Sequence, residues 1–212
     1  MTEKRRKVMT NLPHDTKKQQ WLILGGTRSG KTRFAESKTT ELAHQTTNNQ
    51  AHLAPVFYIA TSTAADSEMQ QRIEQHRQQR PQQWHTIECP FDLAQTLQDI
   101  QCKHPNAVVM IDCLTLWLTN QLLGREPDYS ATEPKICLQQ WQQAKQQLLE
   151  FLSQSSLTII MVSNEVGQGI TPLGKLSRTF VDEAGRLHQD IAALINHVVM
   201  VVAGLPMTLK SE

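Results

Sequence analysis

Short apolar runs along the chain alternate with longer stretches in which apolar residues recur every three or four positions. Trp21–Gly25 (WLILG), Val56–Ala60, Trp84–Glu88, Val108–Cys113, Leu157–Ser163 and Val198–Ala203 have the β-branched and apolar make-up of strands. Met207–Lys210 predicts a further edge strand. WLILG, VVMID and LTIIMVS are apolar at both odd and even positions, as strands covered on both faces must be. Helical spacing falls near 31–44, 66–79, 91–101, 114–123, 135–153 and 175–195. Strands alternating with helices predict an α/β domain around a mostly parallel sheet. The glutamine-rich stretch QQWQQAKQQLLEFL keeps Trp141, Ala144, Leu148 and Phe151 on one helical face, so it reads as a solvated helix with a buried stripe. Gly124–Pro134 (GREPDYSATEP) is built of loop residues.

Length and charge narrow the reading. A chain of 212 residues suits one mid-sized core, and a formal net charge of +1 offers no global field for nucleic acid or an anionic membrane. The exception is the start, where the first twenty residues carry six basic and two acidic side chains; residues 1–19 are expected to be a basic, disordered arm and 20–212 the domain. No apolar run approaches the roughly 20 residues of a membrane-spanning helix. The four cysteines (Cys89, Cys102, Cys113, Cys137) show no paired metal-ligand spacing. Reduced thiols in a cytoplasmic protein are the expectation.

Gly25-Gly26-Thr27-Arg28-Ser29-Gly30-Lys31-Thr32 fits G-x-x-x-x-G-K-[ST], between a predicted strand and a predicted helix. Its glycines let backbone N–H groups curl around a phosphate chain at a helix N-terminus. Lys31 would reach the β- and γ-phosphates, and the Thr32 hydroxyl would ligate Mg²⁺. An acid at the end of an apolar strand, Asp112, is a candidate to hold the same Mg²⁺, to cap the helix after it, or to do both. With the alternating elements, this loop predicts a P-loop NTPase-like (RecA-like) three-layer fold.

His76 lies in DSEMQQRIEQHR (66–77), where Met69 and Ile73 form an apolar stripe that His76 extends by one turn. Its place beside the stripe suits either a structural histidine or a functional one. Asn164-Glu165-Val166-Gly167-Gln168-Gly169 follows a strand; Glu165 either orients a hydroxyl or metal-bound water, or belongs to a tight turn. His188 reads as a helix residue apart from the site, and Arg178 and Arg186, eight apart on the last helix, as serving packing or a subunit contact.

Taken together, GGTRSGKTRFAE, YIATS, DSEMQQRIEQHRQQRP, WHTIE, IDCLTLWLTN, SNEVGQGITP and SRTFVDEAGRLHQ resemble the bifunctional adenosylcobinamide kinase/adenosylcobinamide-phosphate guanylyltransferase family of cobalamin biosynthesis. The resemblance runs from about Gln20 to Lys210. It implies phosphorylation of adenosylcobinamide by ATP or GTP, then transfer of GMP from GTP to the phosphate through a guanylyl-histidine. The histidine of the R-I-x-x-H segment carries the GMP, here His76. The implied nucleotide contacts are Gly25 through Thr32, Ala60, Thr61, Ser62, Arg77, Gln78, Gln79, Arg80, Glu88 and Asp112. Homo-oligomers, with trimers expected, are implied as well. Two competing functions keep part of the pattern: a P-loop small-molecule kinase without nucleotidyl transfer, and a nucleotide-gated switch whose arm binds nucleic acid. The near-neutral charge argues against the second.

Overall fold

The protein's structure, a computed structural model, describes residues 19–46, 53–63, 81–127 and 135–211. The apolar runs become strands β1 (Gln20–Gly25), β2 (Val56–Ala60), β3 (His85–Glu88), β4 (Val108–Asp112), β5 (Thr158–Asn164), β6 (His197–Val202) and β7 (Leu205–Ser211). The helices are α1 (Lys31–Thr46), α2 (Leu93–Lys103), α3 (Leu114–Leu123), α4 (Leu138–Gln154) and α5 (Lys175–Leu194). The described residues form one seven-stranded sheet in the order β3-β2-β4-β5-β1-β6-β7. Every pairing is parallel except β6 with β7.

Alternation along the central strands sends side chains to two cores. Leu22, Leu24, Ile59, Val109, Ile111, Ile159 and Met161 meet α2 to α5 on one face. Ile23, Tyr58, Met110, Ile160, Val162 and Val201 meet α1 on the other. In α1 the buried positions Ala35, Thr39, Leu42 and Ala43 share one side of the helix. In α4, Trp141 packs edge-on against Trp117 of α3, with centroids 5.2 Å apart, and its Nε1 donates to Glu183 Oε2 of α5 at 2.7 Å. That bond lets a polar tip lie inside the core without loss.

The differences from the predicted boundaries have local causes. Trp84 is drawn into a turn by its N–H donating to Pro81 O, so β3 starts one residue later. Cys113 leaves β4 because its N–H donates to Thr61 Oγ1 at 2.8 Å. Cys137 N–H donates back to Leu122 O, and α4 begins only after it. The predicted edge strand extends into an antiparallel hairpin through Ala203 and Gly204, whose φ values of 52° and 79° suit a two-residue turn. The predicted helix 66–79 and the arm fall outside the described residues, as does most of Gly124–Pro134.

Candidate active site

The first feature is the loop between β1 and α1. Ser29 N–H donates to Gly26 O at 3.2 Å, and Phe34 N–H to Gly30 O at 3.0 Å, which closes the loop and starts the helix. Arg28 and Gly30 have positive φ, 58° and 92°. Gly25 has no room for a side chain: a Cβ there would lie 2.5 Å from Ser29 Oγ and 2.7 Å from Val201 O. The β6–β7 turn supports the loop from below, with Gly204 N–H donating to Ser29 O at 2.8 Å. On the other side Glu165 N–H donates to Gly25 O at 3.0 Å. The loop is thus held from β5 and from the hairpin before any ligand arrives.

Lys31 opens α1 and is 8% exposed, with Nζ donating back to Gly26 O at 3.2 Å. Burial lowers its pKa, against which Cys113 and Asp112 act. Burial, with Asp112 beside it, pushes the Cys113 thiol up to about 11, so the thiol is neutral near pH 7. The Asp112 carboxylate offsets part of the burial cost of the Lys31 ammonium. Asp112 does not cap α3: Cys113 takes the cap position, and Asp112 Oδ2 accepts from Tyr58 OH at 2.8 Å. Tyr58 and Asp112 belong to adjacent strands, so the sheet itself sets the carboxylate's orientation.

The carboxyl ends of the strands gather most of the expected nucleotide residues. Ala60 pairs with Asp112 on one side and with Glu88 on the other. Thr61 is fully buried; its Oγ1 donates to Cys113 O at 2.7 Å, while Ser62 is half-buried beside it. Asn120 of α3 secures this edge by donating to Thr61 O at 2.7 Å and to Pro90 O at 3.1 Å. Glu88 is exposed on the outermost strand, four strand positions from β1. His76, Arg72, Arg77, Gln78, Gln79 and Arg80 lie outside the described residues.

Among the described residues, Ser29 Oγ is buried without a hydrogen-bond partner inside the phosphate loop. That hydroxyl is packed against Gly25 and is part of the cost of so tight a loop. The Thr32 hydroxyl and Asp112 carboxylate supply the hard oxygen donors that Mg²⁺ prefers, so the donor set fits that ion.

His188 lies on α5, the helix expected of it. It is 7% exposed, its Nε2 lies 2.7 Å from Ser163 Oγ, and its Nδ1 lies 3.9 Å from Glu165 Oε2. Glu165 Oε1 accepts from Gly167 N–H at 2.7 Å, so this network reaches the loop beside Gly25. The place of His188 on the last helix carried no information about the strand residues it would meet. Thr115 and Tyr58 were missed, and Asn164 ends β5 rather than following it. Asn164 Nδ2 donates to Thr115 Oγ1 at 2.9 Å, joining β5 to the start of α3. Arg178 donates to the carbonyls of Pro172 and Leu173, and Arg186 pairs with Glu183.

Burial lowers the pKa of His188, partly offset by Glu165. The unfolded chain therefore takes up this proton first as pH falls. The associated stability is complete above the unfolded value of about 6.5 and is lost as pH drops below it. His188→Asn keeps a partner for Ser163 and removes the proton. Its melting temperature is expected to fall less between pH 7 and 5 than the wild type's, by about 2–4 °C for each kcal/mol removed. Thermal melts of both proteins at the two pH values check this.

Among the described residues no helix is long and apolar enough to cross a membrane. Residues 21–209 match the protein family described as cobinamide kinase / cobinamide phosphate guanyltransferase. The bifunctional adenosylcobalamin biosynthesis protein CobP of Pseudomonas aeruginosa is 47% identical over 191 residues, covering 90% of this chain and 97% of the relative. The bifunctional adenosylcobalamin biosynthesis proteins CobU of Escherichia coli and Salmonella typhimurium are 38% and 36% identical, each over 89% of this chain and 98% of the relative. A solved structure of an ATPase domain aligns with 86% of this chain and 69% of its own at a TM-score of 0.46 and 14% identity. The phosphate loop and strand-end acid lie within a match that spans nearly the whole chain, and the chain belongs to the cobinamide kinase / cobinamide phosphate guanyltransferase family.

Proposed function

We propose that this chain phosphorylates adenosylcobinamide with a nucleoside triphosphate and then transfers GMP from GTP to the product, yielding adenosylcobinamide-GDP. The observation that supports it best is the braced phosphate loop on the same sheet edge as Asp112, in a chain of this family. In the first reaction the hydroxyl oxygen of the aminopropanol arm attacks the γ-phosphorus. The bond from that phosphorus to the β–γ bridging oxygen breaks, a nucleoside diphosphate leaves, and the hydroxyl proton passes to solvent. Lys31 and the backbone amides of the loop balance the charge on the transferred group. Thr32 and Asp112 would hold Mg²⁺, which when bound neutralises phosphate charge. ATP and GTP both suit this step, because the loop reads phosphates rather than the base.

In the second reaction a ring nitrogen of His76 attacks the α-phosphorus of GTP, forming a P–N bond and expelling pyrophosphate. A phosphate oxygen of adenosylcobinamide-phosphate then attacks the same phosphorus and the P–N bond breaks. Neutral imidazole is the nucleophile, and the cations of Arg72, Arg77 and Arg80 nearby in sequence favour it over the protonated form. Ala60, Thr61, Ser62, Gln78, Gln79 and Glu88 complete the nucleotide contacts. The working form is a cytoplasmic homotrimer; light scattering at three times the chain mass of 24.1 kDa checks the assembly.

Incubation with α-labelled GTP and Mg²⁺ tests the reading. The expected product is an acid-labile, base-stable adduct that maps to His76. Phosphorylation of adenosylcobinamide without any covalent label would leave a P-loop kinase with no nucleotidyl transfer.

A further inference from the structure

A cleft of about 230 Å³ opens between the first turn of α2, the end of α3 and the first half of α4. Gln140, Gln143 and Gln147 of α4 line one wall, three and four residues apart and hence on one face of the helix. The opposite wall includes Gln121, and the amides are linked across the cleft. Gln140 Nε2 donates to Gln121 Oε1 at 3.1 Å, and Gln121 Nε2 donates to Phe91 O at 2.9 Å.

The charged groups in the lining cancel. Arg125 bonds both oxygens of Asp92, at 2.7 and 2.9 Å, and lies 4.6 Å over the Phe91 ring. Asp92 also stands at the N-cap of α2, so a carboxylate already lies close to the start of that helix. A phosphate finds no unpaired cation here. Side-chain amides both donate and accept, and their complement is another neutral amide or a hydroxyl. The cleft is smaller than the roughly 300–1,000 Å³ that encloses a whole drug-sized ligand, so it suits one edge of a larger molecule.

One wall of the cleft is tied to the carboxyl edge of the sheet. Asn120, next to Gln121, donates to Thr61 O and Pro90 O, tying this wall to the carboxyl ends of the strands. β3, which leads into Phe91, lies two strand positions from β4 and Asp112, about 10 Å at ordinary strand spacing.

We infer that this cleft binds the amide-bearing rim of the cobinamide ring and so directs its hydroxyl arm toward Asp112 and the phosphate loop. The inference rests on the function proposed above and places that reaction's acceptor. Gln143 and Gln147 are exposed, so the double variant Gln143→Ala/Gln147→Ala should keep the fold. We expect its KM for adenosylcobinamide to rise about tenfold, as for the loss of two ordinary hydrogen bonds, with covalent labelling by α-labelled GTP unchanged. Calorimetric titration with cobinamide should show the same loss of affinity. Unchanged KM and affinity, beside normal wild-type turnover, would overturn the cleft alone. A wild-type protein that neither binds nor phosphorylates adenosylcobinamide would overturn the functional reading and the cleft with it.

Discussion

Replacing His76 by Ala is expected to abolish covalent incorporation of GMP while leaving phosphorylation of adenosylcobinamide within about tenfold of wild type. Loss of a covalent nucleophile removes a two-step route altogether, whereas loss of one orienting contact slows a step. The kinase step needs charge balance at the γ-phosphate, which comes from Lys31 and the loop amides and not from an imidazole. Two measurements on one preparation separate the roles: acid-labile label from α-labelled GTP, and transfer of γ-label to adenosylcobinamide. Full covalent labelling in the variant would place the GMP on another side chain. Loss of both activities would mean that His76 also positions the kinase donor.

How legible the molecule was in its sequence depended on whether a feature is local. The phosphate loop could be read because phosphate chemistry fixes its spacing, and Gly25 and Gly30 are needed for reasons internal to the loop and its nearest neighbours. Apolar runs at both parities predicted β1, β4 and β5 as central strands, and they are central. Contacts between distant segments could not be read. Nothing in AGLP announces that Gly204 N–H would donate to Ser29 O, since that contact depends on how the hairpin docks. The spacing of Gln140, Gln143 and Gln147 correctly kept them out of the core. That they face Gln121 across a cleft follows only from how α3 packs on α4. His188 shows the same limit, because its helix could be read but its partners Ser163 and Glu165 lie outside that helix. The role of His76 rests on its motif within the family, and so it is best decided chemically.

Lys31→Ala is expected to lower the rates of both reactions by about 10²–10³-fold, the scale for removing one preorganised group from developing charge. Lys31 is nearly buried, and its amine lies against Gly26 O inside the loop. Asp112 offsets part of the amine's desolvation. Removing the amine withdraws the cation nearest the β/γ end of a bound triphosphate and leaves the carboxylate without its neighbour. Lys31→Arg should rescue little, because a planar guanidinium does not fit where a compact ammonium turns back into its own loop. The comparison with His76→Ala carries more than either variant alone. One triphosphate held by its β/γ end at Lys31 and attacked at its α-phosphorus by His76 requires that labelling and phosphorylation both fall in Lys31→Ala. If Lys31→Ala lost phosphorylation yet took up GMP at the wild-type rate, GTP would have to bind for guanylylation away from this loop, and a single shared nucleotide site would be ruled out.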